Sequence, residues 1–227
     1  RAKFIYINYP NNPTGAVATK AFYEKLVAWA KTYEVGVVSD LAYGALGYQG
    51  YENPSFLSTP GAKDVGIEFY TFSKTFNMAG WRLAFAAGND QMIEALNLIQ
   101  DHLFVGIFPA LQEAGIAALL DPKSEEAVAQ LNATYDSRRD AFVQAAAKIG
   151  WKAFPSKGSF YAWMPVPEGY TSESFADLLL EKAHVAVAPG KGFGPAGDAY
   201  VRIGLLVEPE RLVEAVNRIA DLQLFNN

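Results

Sequence analysis

Hydrophobic and polar positions along this chain switch between a period of two and a period near 3.6. Residues 4–9 form a short apolar run, and Lys3-Phe4-Ile5-Tyr6-Ile7 reads as a buried strand. The run breaks at Pro10-Asn11-Asn12-Pro13-Thr14-Gly15, a dense turn signal. Thr19 then caps a helix predicted over 20–34, with Phe22, Leu26, Trp29, Ala30 and Tyr33 on one face. Val35-Gly36-Val37-Val38-Ser39 is the next strand, and it ends at Asp40. Glycine, tyrosine and proline mark residues 44–61 as a loop. Apolar runs at 65–72 and 83–87 predict two more strands on either side of a hydroxyl-rich turn.

The second half changes character. Asn89 caps a helix to about residue 103, with Met92, Leu96, Ile99 and Leu103 inward, and a helix over 109–120 follows. Ser124 opens a long helix to 149, with Glu125 and Glu126 in its first turn and Gly150 past its end. Val128, Leu131, Tyr135, Phe142 and Ile149 form its stripe. Residues 151–164 read as two strands about a turn at 155–158. A helix over 172–183, strands over 185–188 and 200–207, and a helix from Pro209 to 222 complete the pattern. Strand, helix, strand with short apolar strands predicts parallel pairing in a doubly wound α/β sheet, with a smaller α+β domain beside it. The division is expected as 1–135 and 136–227. Active groups should sit at the carboxyl ends of the parallel strands. Asn12, Asp40 and Lys74 all lie just past such an end.

Composition narrows the function. The 227 residues are 51% hydrophobic and 14% aromatic, enough for a substantial core. A net charge of −5 with no basic block argues against nucleic acid as a partner. The absence of cysteine excludes disulfides and cysteine metal sites. His102 and His184 are far apart and read as structural or surface residues, so no metal is expected. No apolar run is long enough to span a bilayer and no signal peptide opens the chain, so the expectation is a cytoplasmic protein without a membrane partner. A first residue of Arg1 that leads straight into a strand predicts a chain cut from something longer.

The candidate chemistry centres on Thr71-Phe72-Ser73-Lys74-Thr75-Phe76-Asn77-Met78-Ala79-Gly80-Trp81-Arg82. A lysine held at a strand end beside apolar surface loses its proton more easily than a solvated one. The neutral amine can attack a carbonyl and form a Schiff base. Hydroxyls at Thr71, Ser73 and Thr75, with the Arg82 fork, can hold a phosphate dianion. An aldehyde-binding lysine beside a phosphate cradle suits pyridoxal 5'-phosphate. A buried carboxylate at Asp40 could keep a pyridine nitrogen protonated, and the Tyr43 hydroxyl could reach a phenolic oxygen. Arg202, in the apolar run Tyr200-Val201-Arg202-Ile203-Gly204, reads equally as an arginine on a wet strand face or as a bidentate partner for a carboxylate. Gly192-Phe193-Gly194-Pro195-Ala196-Gly197 has dinucleotide-site spacing, but Pro195 and a strand follow where that site needs a helix. That loop reads better as the flank or lid of a pocket, and a nicotinamide dehydrogenase is disfavoured.

These motifs together resemble the class I/II (fold-type I) pyridoxal-phosphate-dependent aminotransferases. The lysine turn with its glycine-x-arginine, and the asparagine-proline-threonine-glycine string at residues 12–15, carry the resemblance. Thr71 stands where that family usually has serine or glycine, and the hydroxyl is retained. Gly158-Ser159-Phe160-Tyr161 and Val166-Pro167-Glu168-Gly169-Tyr170 are similar to the LL-diaminopimelate and aspartate-type members. The resemblance implies a three-layer, mostly parallel large domain, present here as its carboxyl part, with a small carboxyl-terminal domain. It implies that Lys74 bears the cofactor and moves the substrate proton, and that Thr71, Ser73 and Arg82 hold its phosphate. It assigns Asn12 and Tyr43 to the phenolic oxygen, Asp40 to the ring nitrogen and Arg202 to the substrate α-carboxylate. Asn12 also joins Arg202 in the substrate set, and the Asn12–Pro13 bond is implied to be cis. The implied reaction moves an amino group between an amino acid and a 2-oxo acid, in a homodimer. A carbon–sulfur β-lyase on the same fold shares every motif, whereas a non-catalytic sensor built on the same domain should carry a basic DNA-binding segment, and none is visible in this sequence. The family's amino-terminal half, with a glycine phosphate loop and a ring-stacking aromatic, has no counterpart in this chain.

Overall fold

The computed structural model describes residues 2–225. Arg1, which bears on the expectation of a longer parent chain, lies outside the described residues. The chain divides into two compact units. The first takes Arg1–Pro10, Val17–Gly47 and Tyr51–Leu131; the second takes Asn11–Ala16, Tyr48–Gly50 and Asn132–Asn227.

The first unit runs β1 (Phe4–Asn8), α1 (Lys20–Tyr33), β2 (Gly36–Asp40), α2 (Ala62–Val65), β3 (Gly66–Thr71), α3 (Phe72–Thr75), β4 (Ala84–Gly88), α4 (Asp90–Leu103) and α5 (Pro109–Leu120). Its sheet has the order β1-β2-β3-β4. The first three strands are parallel and β4 is antiparallel to β3. A short return from Thr71 to Ala84 suffices for an antiparallel neighbour, whereas each parallel pair needs a longer crossover. Register pairs Asn8 with Asp40, so β1 and β2 end level, and Asp40 with Phe69, so β3 runs two residues further, to Thr71.

Helix α1 starts where the pattern places it, because the Thr19 hydroxyl accepts the Phe22 N–H at 3.1 Å. It ends at Glu34, which turns into the left-handed region. The buried face differs from expectation. Tyr23, Leu26, Val27 and Ala30 face the core, while Phe22, Trp29 and Tyr33 are exposed. The real stripe follows i, i+3, i+4, i+7 from Tyr23, and the three aromatics lie on its flank, where Trp29 and Tyr33 pack on each other. Strand β1 is likewise buried on one face only. Ile5 and Ile7 pack toward the core with Val37 and Phe56, while Phe4 and Tyr6 point the other way and are exposed. Asn89 caps α4 as expected, accepting the Met92 N–H at 3.2 Å. Yet no α4 residue is buried, and Leu103 is 70% exposed. Instead, Met92, Leu96 and Ile99 border an open apolar groove of about 640 Å³ with Phe4, Tyr6 and Phe69.

Helix α6 (Ser124–Lys148) contains the division between the units, at Leu131 and Asn132. The second unit adds β5 (Tyr161–Pro165), α7 (Ser172–Leu178), β6 (Ala188–Pro189), β7 (Tyr200–Gly204) and α8 (Pro209–Ala220). Its antiparallel sheet has the order β5-β7-β6. The predicted hairpin over 151–164 yields one strand. Phe154 makes a single rung to the Trp163 carbonyl, but Pro155 has no N–H, and the amides of Lys157 and Gly158 both donate to the Gly15 carbonyl at 3.2 Å. The amides a second strand would use are engaged elsewhere. Strand β6 begins later than expected and has only two residues. Strand β7 stops at Gly204, after which the Leu205 N–H donates to the Phe160 carbonyl. Helix α7 continues into wider π-type turns over Leu179–Ala183. The core gathers on Trp151, which is 1% exposed and packs against Phe142 and Phe175. Its indole N–H donates to the Pro165 carbonyl at 2.7 Å, so the ring is buried without stranding its polar atom.

Candidate functional site

The first unit collects its chemistry at the carboxyl ends of the adjacent strands β2 and β3. Asp40 closes β2. Its Oδ1 accepts the Ala42 N–H at 3.1 Å, and its main-chain carbonyl accepts the Asn8 side-chain amide at 3.1 Å. Burial raises the Asp40 pKa above the ordinary carboxylate value, and the Ala42 hydrogen bond partly offsets that rise. Tyr43, three residues on, is 5% exposed.

Strand β3 delivers the lysine turn. Thr71 caps α3: its hydroxyl accepts the Ser73 N–H at 3.2 Å and donates to Ser73 Oγ at 3.0 Å. Within that single turn, Phe72 and Thr75 face inward, which leaves Ser73 and Lys74 part-exposed. Lys74 Nζ lies 6.0 Å from the centre of the Tyr43 ring. The ends of β2 and β3 thus bring together the lysine and the tyrosine that the sequence pattern singles out. Arg82 precedes β4, whose register pairs Ala84 with Thr71. Arg82 is exposed, adopts φ 55°, and donates from Nη1 to the Ala79 carbonyl at 3.0 Å. A non-glycine residue held in the left-handed region is uncommon and points to a constraint on that turn.

Two residues of β3 escape a motif reading. Glu68 is 5% exposed and accepts the Ser39 hydroxyl at 2.9 Å, the Phe56 N–H at 2.8 Å and the Ser55 hydroxyl. It clamps β2 and the 55–56 segment onto β3. Tyr70, two residues on and on the same strand face, hydrogen-bonds Thr75 through its hydroxyl at 2.6 Å. The available signal was the acid and the phenol inside an apolar strand, positions that a buried strand fills with polar groups only when partners wait for them.

The second unit holds Asn12 and Arg202. The loop at Asn11–Ala16 is pinned by Asn11, whose Oδ1 accepts the Thr14 hydroxyl at 2.7 Å and the Thr14 N–H at 3.2 Å. Gly15 adopts φ 68°, and a Cβ there would overlap Ser156 Oγ and crowd the Gly158 carbonyl, so the position excludes a side chain. The Asn12–Pro13 bond is cis, as is Tyr9–Pro10. Arg202 lies on β7, the central strand of its sheet. Its Nη1 donates to Asn12 Oδ1 at 2.7 Å. The guanidinium lies over the rings of Tyr161 and Phe193, 4.2 Å and 4.7 Å from their centres. Phe193 belongs to the glycine-rich loop, so that loop flanks the arginine. No α-helix follows it; a 3₁₀ turn over Pro195–Ala199 leads into β7.

Each unit therefore carries its own chemical capacity. The first offers an amine, two hydroxyls on the same turn, a buried phenol and a carboxylate whose proton affinity is raised by burial. This donor set fits a phosphate-bearing aldehyde with a basic ring nitrogen: hydroxyls for the phosphate, amine for the aldehyde, and a cationic ring to relieve the desolvated carboxylate. The second offers a guanidinium stacked on aromatic rings and aligned by an amide, an arrangement suited to a carboxylate. Among the described residues there is no cluster of metal-ligating side chains and no helix long and apolar enough to cross a membrane.

A family model described as aminotransferase class I and II matches residues 1–219. The chain is 59% identical over 225 residues to L-glutamine–4-(methylsulfanyl)-2-oxobutanoate aminotransferase of Bacillus subtilis, covering 99% of this chain and 56% of that protein. It is 49% identical over 219 residues to LL-diaminopimelate aminotransferase of Moorella thermoacetica, covering 96% of this chain and 56% of that protein. The apo-BacF structure from Bacillus subtilis superposes with a TM-score of 0.94 at 48% identity, covering 99% of this chain and 57% of that one. The chain spans a little over half the length of the relatives it matches.

Proposed function

We propose, for a chain that belongs to the class I and II aminotransferase family, that it carries the lysine and carboxylate-binding residues of a pyridoxal-phosphate-dependent transaminase. The protein would move an amino group between an amino acid and a 2-oxo acid, as a cytoplasmic homodimer. Residues 1–135 and 136–227 would correspond to the carboxyl part of a cofactor-binding domain and to a small domain. Dependence on pyridoxal phosphate is general to the family. Glutamine and LL-diaminopimelate, named for the relatives, are the amino donors to test first.

The observation that carries the reading is the Lys74 turn, which joins the Thr71 and Ser73 hydroxyls to the lysine on one turn, with Asp40 at the neighbouring strand end. In this reading Thr71, Ser73 and Arg82 hold the phosphate, and Asp40 keeps the proton on the ring nitrogen. Tyr43 and Asn12 reach the phenolic oxygen. Pyridoxal phosphate, when bound, supplies an aldehyde that condenses with amines and a ring that takes up electrons from the substrate α-carbon. Arg202 grips and orients the substrate α-carboxylate, with Asn12 aligning the fork. Lys74 Nζ takes the proton from the α-carbon and returns it at the other end of the transfer.

The test is intact mass after incubation with pyridoxal phosphate, with and without borohydride, followed by peptide mapping. A single reduced adduct on Lys74, lost in Lys74→Ala together with all transamination, is the expected result. An adduct on another lysine, or normal turnover in Lys74→Ala, would overturn the assignment.

A further inference from the structure

We propose that Tyr70 and Thr75 form the tie that positions Lys74 for attack on the cofactor aldehyde; this rests on the reading of Lys74 given above. The lysine turn is held by side chains at two places. At its start, Thr71 accepts the Ser73 N–H and bonds the Ser73 hydroxyl. At its end, Tyr70 and Thr75 share a hydrogen bond of 2.6 Å across the lysine. The first tie uses hydroxyls that a phosphate would claim, whereas Thr75, which the sequence pattern groups with them, is buried and bonded to Tyr70 and so is withdrawn from that cradle. Once Thr71 and Ser73 turn to the phosphate, their side-chain bond is given up, and Tyr70–Thr75 remains.

The pair is built to persist. Thr75 is 5% exposed, so its hydroxyl has little access to competing water. The Tyr70 ring packs against Phe85 at 5.4 Å between centres, which fixes the phenol independently of its hydroxyl. Burial raises the Tyr70 pKa, so the phenol stays neutral at neutral pH and the bond joins two hydroxyls. Phe72, between the two ties, is buried with Met78 and Leu83. The turn can therefore pivot only about its polar ends. Neither Tyr70 nor Thr75 touches the reacting atoms in this role: they act through Lys74. The step they serve is a condensation. Lys74 Nζ attacks the aldehyde carbon, a carbon–nitrogen bond forms, and the aldehyde oxygen leaves as water with the two amine protons, with no oxidation or reduction.

The test measures two things on the whole protein. One is the first-order rate of imine formation at saturating pyridoxal phosphate, followed by absorbance. The other is the affinity for pyridoxamine phosphate, which has the phosphate and ring but no aldehyde. Tyr70→Phe and Thr75→Val should each slow imine formation about tenfold, the scale expected for a small misplacement of a reacting group. The double variant should be no slower than either single one, and Thr75→Ser should restore the rate. Pyridoxamine phosphate affinity should stay within about twofold throughout. An unchanged rate in Tyr70→Phe overturns the proposal, as does a parallel fall in pyridoxamine phosphate affinity, which would mean general damage to the site. If the unsubstituted protein forms no imine, the functional reading itself fails and this inference with it.

Discussion

Lys74 and Arg202 are both cations set beside aromatic rings, yet they are held in opposite ways. Lys74 rides on a single helical turn whose ties are short in sequence: Thr71 to Ser73, Tyr70 to Thr75, and Thr71 to the Leu83 carbonyl twelve residues on. Arg202 is aligned by Asn12, 190 residues away, and flanked by rings from two further segments. The first device is local and forms wherever the strand and its cap form. The second exists only when the small sheet, the Asn11–Ala16 loop and the glycine-rich loop have all taken their places. A local device tolerates substitution until its own groups are touched. A long-range one depends on the bidentate geometry of one guanidinium.

The sharpest way to break the comparison is Arg202→Lys. Lysine keeps the charge but loses the planar fork, so it cannot bond Asn12 and a carboxylate together in that geometry. A drop of about 100-fold in kcat/KM for the amino acid is expected, mostly through KM, with the rate of borohydride-trapped adduct at Lys74 unchanged. If adduct formation fell equally, the two regions would not be separable and the contrast would be lost.

How much of this is legible in the sequence follows the same division. The lysine turn can be read from spacing because each partner lies within a dozen residues, and chemistry links a strand-end amine to neighbouring hydroxyls. Asp40 is legible because parallel strands present their carboxyl ends on one edge of the sheet, and the observed parallel pairing does so. Arg202 is not legible from its strand, since an arginine in an apolar run suits a wet face equally well; its pairing with Asn12 is a property of the tertiary fold. The errors in the elements have one cause. Periodicity marks an apolar face without saying whether anything covers it. So the pattern places Phe22, Trp29, Phe4 and Leu103 inside, and all four are exposed. Glu68 shows the converse: a carboxylate inside an apolar strand, accommodated by three donors that no local pattern announces.

A smaller effect sharpens the role of Asp40. Burial raises its folded pKa above the unfolded value, so the folded chain holds the proton more tightly. Between those two values the native state binds more protons than the unfolded state. Stability therefore falls as pH rises through that window and stays lower above it. An asparagine side chain at this position has no such proton to lose. Asp40→Asn should raise the melting temperature of the cofactor-free chain by about 1–2 °C at neutral pH, small because the group is only half-buried. The two curves should converge at acid pH, below the ordinary carboxylate range. The same substitution should weaken pyridoxal phosphate binding about tenfold, since the ring nitrogen loses its counter-charge. A variant that gains stability and loses affinity marks a residue kept for chemistry at the expense of the fold. A variant that loses both would make Asp40 a structural carboxylate.

The smallest expected effect belongs to Arg82. It shares the lysine turn's return path but is exposed, and its fork already donates to the Ala79 carbonyl. A solvated guanidinium contributes modestly to holding an anion, and salt screens what it does contribute. Arg82→Ala should therefore weaken pyridoxal phosphate affinity only about three- to tenfold at low ionic strength, with the gap narrowing as salt rises. The left-handed backbone at Arg82 supplies the control, because Arg82→Gly relaxes that strain while also deleting the fork. If glycine restored the affinity that alanine loses, the turn geometry rather than the charge would be what the site needs there. If both variants lost affinity alike and both losses faded with salt, Arg82 would act as a phosphate counter-charge, a contribution to the local device that depends on ionic strength as the buried hydroxyl ties do not.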